Sequence, residues 1–234
     1  MTSFDEVFES VRDIEGWLTK AQARLLYDRA HDLPSGSRIV EIGSHHGRST
    51  IVLATAAPEA ELVAIDPYGE GEPRPADLER LEQNLERAGV SGRVRHVHAT
   101  STAALSQVSG EIDLLYIDGA HDLRTALADI QDWGARVREG GTMLIHDSFS
   151  SVGVTLAQIV SLFFGDGFLY VGRARTLAEY RCEHLPYAGR LVNASRQALS
   201  LPWFVRNVLV KVALAGRMPV LARALGHRNR VFPY

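Results

Sequence analysis

The chain predicts an α/β fold: a doubly wound, mostly parallel sheet with a helical cap before it and a helical extension after it. Three observations carry that prediction. Short apolar runs alternate with amphipathic stretches from residue 38 to 164, the pattern of successive strand–helix units with right-handed crossovers. The first run, 38–42, carries the acid Glu41 and leads into two glycines four apart, Gly43 and Gly47, before a helical pattern begins. A turn that tight needs glycine, and the missing Cβ atoms let a ligand approach the backbone. The next run, 61–65, ends at a second acid, Asp66.

The elements follow in order. Residues 4–33 read as helical, with Phe4, Val7, Phe8, Val11, Ile14, Leu18, Ala21, Leu25 and Leu26 at helical spacing and Pro34-Ser35-Gly36 as the stop. Strands are expected at 38–42, 61–65, 93–98, 112–117 and 142–146, with Gly140-Gly141 punctuating before the last. Helices are expected at 48–56, 76–88, 122–137 and 153–164. The Pro/Gly-rich stretch 67–75 reads as a loop, and 168–171 with 176–181 as a final antiparallel pair.

With 234 residues, 46% of them hydrophobic, the chain has material for one α/β domain, taken as 1–188, and an appendage, 189–234. A net charge of −3 gives no bulk electrostatic case for nucleic acid. The single cysteine, Cys182, allows neither an internal disulfide nor a cysteine zinc cluster. The first residues are acidic and lack an apolar core, and no run of 18 apolar residues occurs, so a cytosolic protein is expected. Lys20 and Lys211 are the only lysines among 25 basic residues, the usage of a GC-rich genome.

Charge is uneven: from Gly189 onward there are eight basic residues and no acid. Ser200-Leu201-Pro202 opens a helix to about Ala215, with Arg206, Asn207, Lys211 and Arg217 on one side and Trp203, Phe204, Val208, Val212 and Ala215 over the rest. The expectation is an apolar face packed on the domain or on a second copy, as in a homodimer. An interfacial membrane helix with a basic rim is the minority reading, and a surface for an anionic lipid-linked or polysaccharide substrate is a third.

The first turn has the form E-x-G-x-x-x-G-x-S, not the G-x-G-x-x-G of a dinucleotide fold. An acid there repels a pyrophosphate and suits a cationic ligand, while an acid such as Asp66 at the second strand end accepts from ribose hydroxyls. The pattern resembles motif I of the class I S-adenosylmethionine (SAM) methyltransferases. The resemblance implies a cofactor site of Glu41, Gly43, Gly47, Ser49, Asp66 and Asp118, with Glu41 near the methionine amino group. It also implies adenine contacts where the third strand ends, at Thr100 and Ser101. His45 and His46 are expected to face solvent.

Two further strand ends, Ile117-Asp118-Gly119-Ala120-His121 and Ile145-His146-Asp147-Ser148, bring four ionisable groups to one edge. Close carboxylates raise each other's pKa unless a cation lies between them. These motifs, across about 36–150, resemble the metal-dependent small-molecule O-methyltransferases of the macrolide-sugar and cephalosporin type. The resemblance implies Mg2+ at Asp118, His146 and Asp147. His146 stands where that group has an acid, which favours Mn2+ or an outer position for the imidazole. Asp118 and His121 are the expected catalytic residues, His121 as general base.

The expected reaction is in-line methyl transfer from SAM to a metal-held hydroxyl of a small-molecule or oligosaccharide acceptor, with a sugar preferred. Loop 67–75 lacks the aromatic wall a flat catechol asks for, and 67–75 and 148–153 are the expected mobile parts. A metal-independent enzyme using His121 alone, a non-catalytic SAM-binding module docked through its tail, and a dehydrogenase are the competing readings.

Overall fold

The computed structural model describes residues 2–68 and 75–227. One seven-stranded sheet runs through it: β1 Arg38–Ile42, β2 Glu61–Asp66, β3 Val94–His98, β4 Ile112–Ile117, β5 Val137–Ile145, β6 Phe168–Ala174 and β7 Leu177–Cys182, in spatial order 3-2-1-4-5-7-6. β1 to β5 are parallel, and β7 is antiparallel to both β5 and β6. This is the predicted doubly wound fold, and it brings the ends of β1, β2, β4 and β5 to one edge.

The central strands β1, β2, β4 and the second half of β5 are mostly apolar because both faces are covered. Ile39, Leu62, Leu114, Tyr116 and Leu144 share one core with α1 Phe4–Val11, α2 Lys20–His31 and α3 Arg48–Ala56. Val40, Val63, Leu115, Met143 and Ile145 share the other with Ile130, Trp133, Phe149 and Tyr180. α4 Pro75–Arg87 and α5 Ser101–Ala104 follow β2 and β3, and α6 Leu123–Ala128 and α7 Val152–Ser161 follow β4 and β5.

Four expectations are corrected. The helical stretch 4–33 is two helices, because Ser3 with Glu6 and Thr19 with Gln22 each form a capping box and start a separate helix. The expected helix 122–137 is α6, then a π-helical turn Asp129–Trp133 and a 3-10 turn Gly134–Arg136. β5 begins at Val137, because Gly140 at φ +74 bends the strand instead of ending it. Segment 148–153 is no mobile lid: Ser148, Phe149 and Ser150 are buried, and the last two carbonyls accept from Asn207 (3.0 Å) and Lys211 (3.1 Å). Most of the expected mobile loop 67–75, residues 69–74, lies outside the described residues.

The tail holds three helices, α8 Tyr187–Ala198, α9 Leu201–Ala215 and α10 Pro219–Ala224. They dock through a mixed face: Trp203 and Phe204 pack on the core as expected and Val210 and Ala213 are buried, but three polar side chains also turn inward while Val212 is left exposed. Asn193 accepts from the Tyr170 N–H (2.7 Å) and donates to the Phe168 carbonyl (3.0 Å). Gln197 accepts from the Tyr180 hydroxyl (3.0 Å). All three side chains, Asn193, Gln197 and Asn207, are fully buried.

Helix α2 is tied to the sheet by Arg29, whose Nε and Nη2 donate to Glu179 on β7 at 2.5 and 3.1 Å. The Glu179 side chain is 6% exposed, so truncating its partner strands a buried carboxylate. Arg29→Ala should cost about 2–3 kcal/mol in urea denaturation. Arg24→Ala, which removes the exposed pair with Asp28, should cost under about 1 kcal/mol.

Candidate functional site

A cavity of about 520 Å³ opens at the carboxyl ends of β1, β2 and β4, the crevice where open α/β sheets bind ligands. Gly43, Ser49, Asp66, Thr100, Ser101, Asp118, His121, His146 and Asp147 all line it. Of the residues predicted for the site, Glu41 and Gly47 lie behind the wall.

Both glycines also serve packing. Gly43 has φ +90, and a Cβ there would sit 2.1 Å from the Asp118 carbonyl oxygen. Gly47 has φ +86, and its Cβ would meet Leu81 at 2.6 Å. The first glycine thus lets the turn after β1 press against the turn after β4. The second lets α3 start against α4.

Glu41 is fully buried. Its carboxylate accepts from the hydroxyls of Ser49 and of Thr50, the latter at 2.6 Å, clamping β1 to the first turn of α3. Burial pushes its pKa up to about 7, and the two hydroxyls only partly offset that. Asp66 holds the turn from the other side. One oxygen accepts from the His45 N–H and the other from the Tyr68 N–H, both at 2.9 Å. Each oxygen keeps a lone pair for a further donor.

The lid of the cavity comes from the chain between α1 and α2. Glu15, Gly16, Trp17 and Leu18 line it, and Arg48 pins that segment by donating to the Gly16 carbonyl at 2.8 Å. The rings of His45 and His46 stack at 3.8 Å, with Trp17 6.4 Å from His45. His46 is buried, not solvent-facing, with Asp77 3.1 Å from its Nε2. An aromatic surface therefore exists, built from Trp17 of that segment and the two histidines of the turn after β1. Tyr68 is turned away into a hydrogen bond with Ser44 (2.7 Å).

The four-group cluster forms as expected. His121 Nε2 lies 2.8 Å from Asp147 Oδ2, and that hydrogen bond raises the histidine's pKa against partial burial. Tyr116 donates to Asp118 Oδ2 at 2.8 Å. Asp147 adopts φ +54, which turns its carboxylate back toward the cavity edge. Burial works to raise the Asp147 pKa, but bonds to His121 and His146 outweigh it and hold the group ionised.

Gln22 fixes the state of His146. Its Oε1 accepts from the Thr19 N–H (2.8 Å) and hydroxyl (2.6 Å), so its amide nitrogen faces the other way. That nitrogen donates to Thr176 (2.9 Å) and meets His146 Nε2 at 3.0 Å. Nε2 is therefore the lone-pair side, and Nδ1 carries the hydrogen, 3.1 Å from Asp118 and 3.6 Å from Asp147. Burial disfavours a charge on this ring while the two carboxylates draw its pKa upward. The net effect of the carboxylates is to raise the pKa to about 10, while the Gln22 donor stands against a second proton on Nε2, so the two influences on the ring oppose each other.

This bears on the expected metal ligands. His146 turns its Nδ1 toward the carboxylates, 3.1 Å from Asp118 and 3.6 Å from Asp147. One ligand atom each from Asp118, His121 and Asp147 lie within 4.8 Å of one another. Asp147 Oδ1 is buried without a hydrogen-bond partner among the described residues. Two carboxylates, one with an unsatisfied oxygen, fit a small divalent cation.

Gln22, Tyr116, Asp129 and Trp17 are site residues that sequence reasoning missed. Asp129 is buried on the cavity wall and bonds Ser101, and burial raises its pKa to about 6. Its signal was an acid on the apolar face formed by Ala126, Ile130 and Trp133.

Residues 40–148 match the family model described as a methyltransferase domain. Over 123 residues the chain is 35% identical to a catechol O-methyltransferase of Mycobacterium tuberculosis (strain ATCC 25618 / H37Rv), covering 52% of each protein. It thus spans about half the length of that curated relative. Among solved structures it resembles cofactor-bound Rv0187 from MTB, with 22% identity, TM-score 0.58 and coverage of 77% of this chain and 88% of that one. It also resembles the O-methyltransferase TomG from Streptomyces achromogenes, involved in tomaymycin synthesis and solved with SAM, at 19% identity, TM-score 0.54 and coverage of 76% and 86%. The fold is the Rossmann-like methyltransferase fold, and the matched segment carries the turns after β1, β2, β4 and β5.

Glu41 supplies a test. An acid whose pKa is raised in the folded state, here from 4.5 to about 7, binds more protons folded than unfolded between those values. Its contribution is full below the lower value and is lost as pH rises through the upper one. Thermal denaturation should show stability falling by up to about 3 kcal/mol across that window. In Glu41→Gln that component of the fall should be absent.

Proposed function

We propose that the protein is a SAM-dependent O-methyltransferase acting on a hydroxyl of a small polyol, a sugar or oligosaccharide by preference. The observation that carries this reading is the juxtaposition in one cavity of Asp66, beside the glycine turn, and the His121–Asp147 pair. The cofactor-bound neighbours support SAM as the ligand. On this reading Asp66 takes the ribose hydroxyls, Ser101 and Thr100 lie by the adenine, and the cationic sulfonium meets the negative edge formed by Asp118 and Asp147.

An acceptor hydroxyl is a poor nucleophile until it loses its proton. His121, 57% exposed at its side chain and aligned by Asp147, is placed to take it. Asp118 and Asp147 would hold a divalent cation, Mg2+ or Mn2+, which when bound lowers the pKa of a coordinated hydroxyl. His146, oriented by Gln22, sets its Nδ1 3.1 Å from Asp118 and steadies that carboxylate. The segment around Trp17 covers the acceptor and excludes water.

An aromatic diol is the second reading, favoured by the name of the curated relative and by the Trp17–His45–His46 surface. Both readings share a vicinal diol, so a paired screen of sugar and catechol acceptors with labelled SAM separates them.

The rate should rise with pH through a midpoint above 6.5, the ordinary histidine value from which Asp147 raises His121. His121→Ala should lose about 10²–10⁴-fold in kcat with the cofactor still bound. Transfer to a sugar that vanishes with chelator and returns with Mg2+ or Mn2+ is the expected result. Retained activity in His121→Ala would remove the base from the mechanism.

A further inference from the structure

The carboxyl-terminal helices carry more apolar side chains than the domain covers. Their buried face is mixed: Asn193, Gln197 and Asn207, each fully buried and spent on the domain's backbone or on Tyr180, sit beside Ala194, Val210 and Ala213, with Trp203 and Phe204 partly buried against the core. A second apolar set is left on the outer face. On α9 Val205, Leu209 and Val212 are 55%, 46% and 56% exposed, at the i, i+4, i+7 spacing of one helix stripe. On α8 Leu191 and Val192 are 47% and 53% exposed, and Leu199 at its C-cap is 82% exposed. Across Tyr187–Ala215 the mean hydropathy reaches 1.4, with only 22% of the most apolar window buried. The polar anchors hold this segment flat against the sheet instead of freeing it to cross a bilayer.

Charge identifies what covers the face. Among the described residues from Gly189 on there is no acid, and Arg196, Arg217 and Arg223 are exposed and in no ion pair. A second copy meeting this face by a two-fold axis would set basic residues against basic residues. An anionic lipid surface matches both parts, taking the apolar side chains at the acyl boundary and the arginines among its headgroups. We propose that α8 to α10 form a docking surface for an anionic membrane, on which the protein lies peripherally with its catalytic cavity intact.

The test is flotation of the full chain with vesicles of phosphatidylcholine alone or with about one third phosphatidylglycerol, at low salt and at about 0.5 M salt. The protein should float with the anionic vesicles, not with the neutral ones, and should release at high salt. Val205→Asp/Leu209→Asp/Val212→Asp, with unchanged circular dichroism and SAM binding, should lose flotation. Arg196→Glu/Arg217→Glu/Arg223→Glu should weaken it by about a hundredfold. No flotation of the wild type with anionic vesicles overturns the proposal. So does a concentration-dependent dimer in sedimentation that Leu209→Asp dissolves while vesicles leave the wild type in solution, because the occupant is then a second copy.

Discussion

The site depends on one close approach. The turn after β1 can reach the turn after β4 only because residue 43 has no side chain, its Cβ direction pointing at the Asp118 carbonyl 2.1 Å away. The Gly43 N–H bonds the Ile65 carbonyl at 2.8 Å and the Asp118 N–H bonds the Ile42 carbonyl at 2.8 Å. Three strand ends are thereby locked in register, and their acids are set around one cavity. Any side chain at Gly43 would need both a left-handed backbone and a parting of these turns, each of which costs stability.

Electrostatics follows from that geometry. Glu41, Asp66, Asp118 and Asp147 lie along a single sheet edge, and the protein manages their repulsion in different ways. Glu41 is withdrawn from solvent and held by two hydroxyls, with its pKa near neutrality. Asp66 is satisfied by backbone N–H groups. Asp147 is held ionised by two imidazoles, and Asp118 is faced by Tyr116 and by the Nδ1–H of His146. The result is a pocket edge that is negative without being unstable, suited to a cationic cofactor and a deprotonating hydroxyl.

The sheet and its order of elements were legible because strands buried on both faces must be apolar throughout, and glycines mark their turns. The acids at strand ends were legible for the same reason, since each closes a mostly apolar run. Gln22 was not. Thr19-x-x-Gln22 reads as a capping box, and only the fold shows that the same amide reaches His146 across 124 positions. Glu41 was legible as an acid in the right motif but not as a buried one, because its partners Ser49 and Thr50 come from the next helix. The tail was legible in part. Trp203 and Phe204 pack on the domain as their spacing suggested, but Asn193 and Asn207 also turn inward because they find backbone groups to satisfy, and Val205, Leu209 and Val212 are left outside.

Calorimetric titration of SAM and S-adenosylhomocysteine onto the wild type and Asp66→Asn, with folding checked by thermal denaturation, tests the central claim most directly. Binding at about micromolar affinity, weakened at least about tenfold in a folded Asp66→Asn protein, is the result this account predicts. No heat with either ligand, or equal affinity in the two proteins, would contradict it.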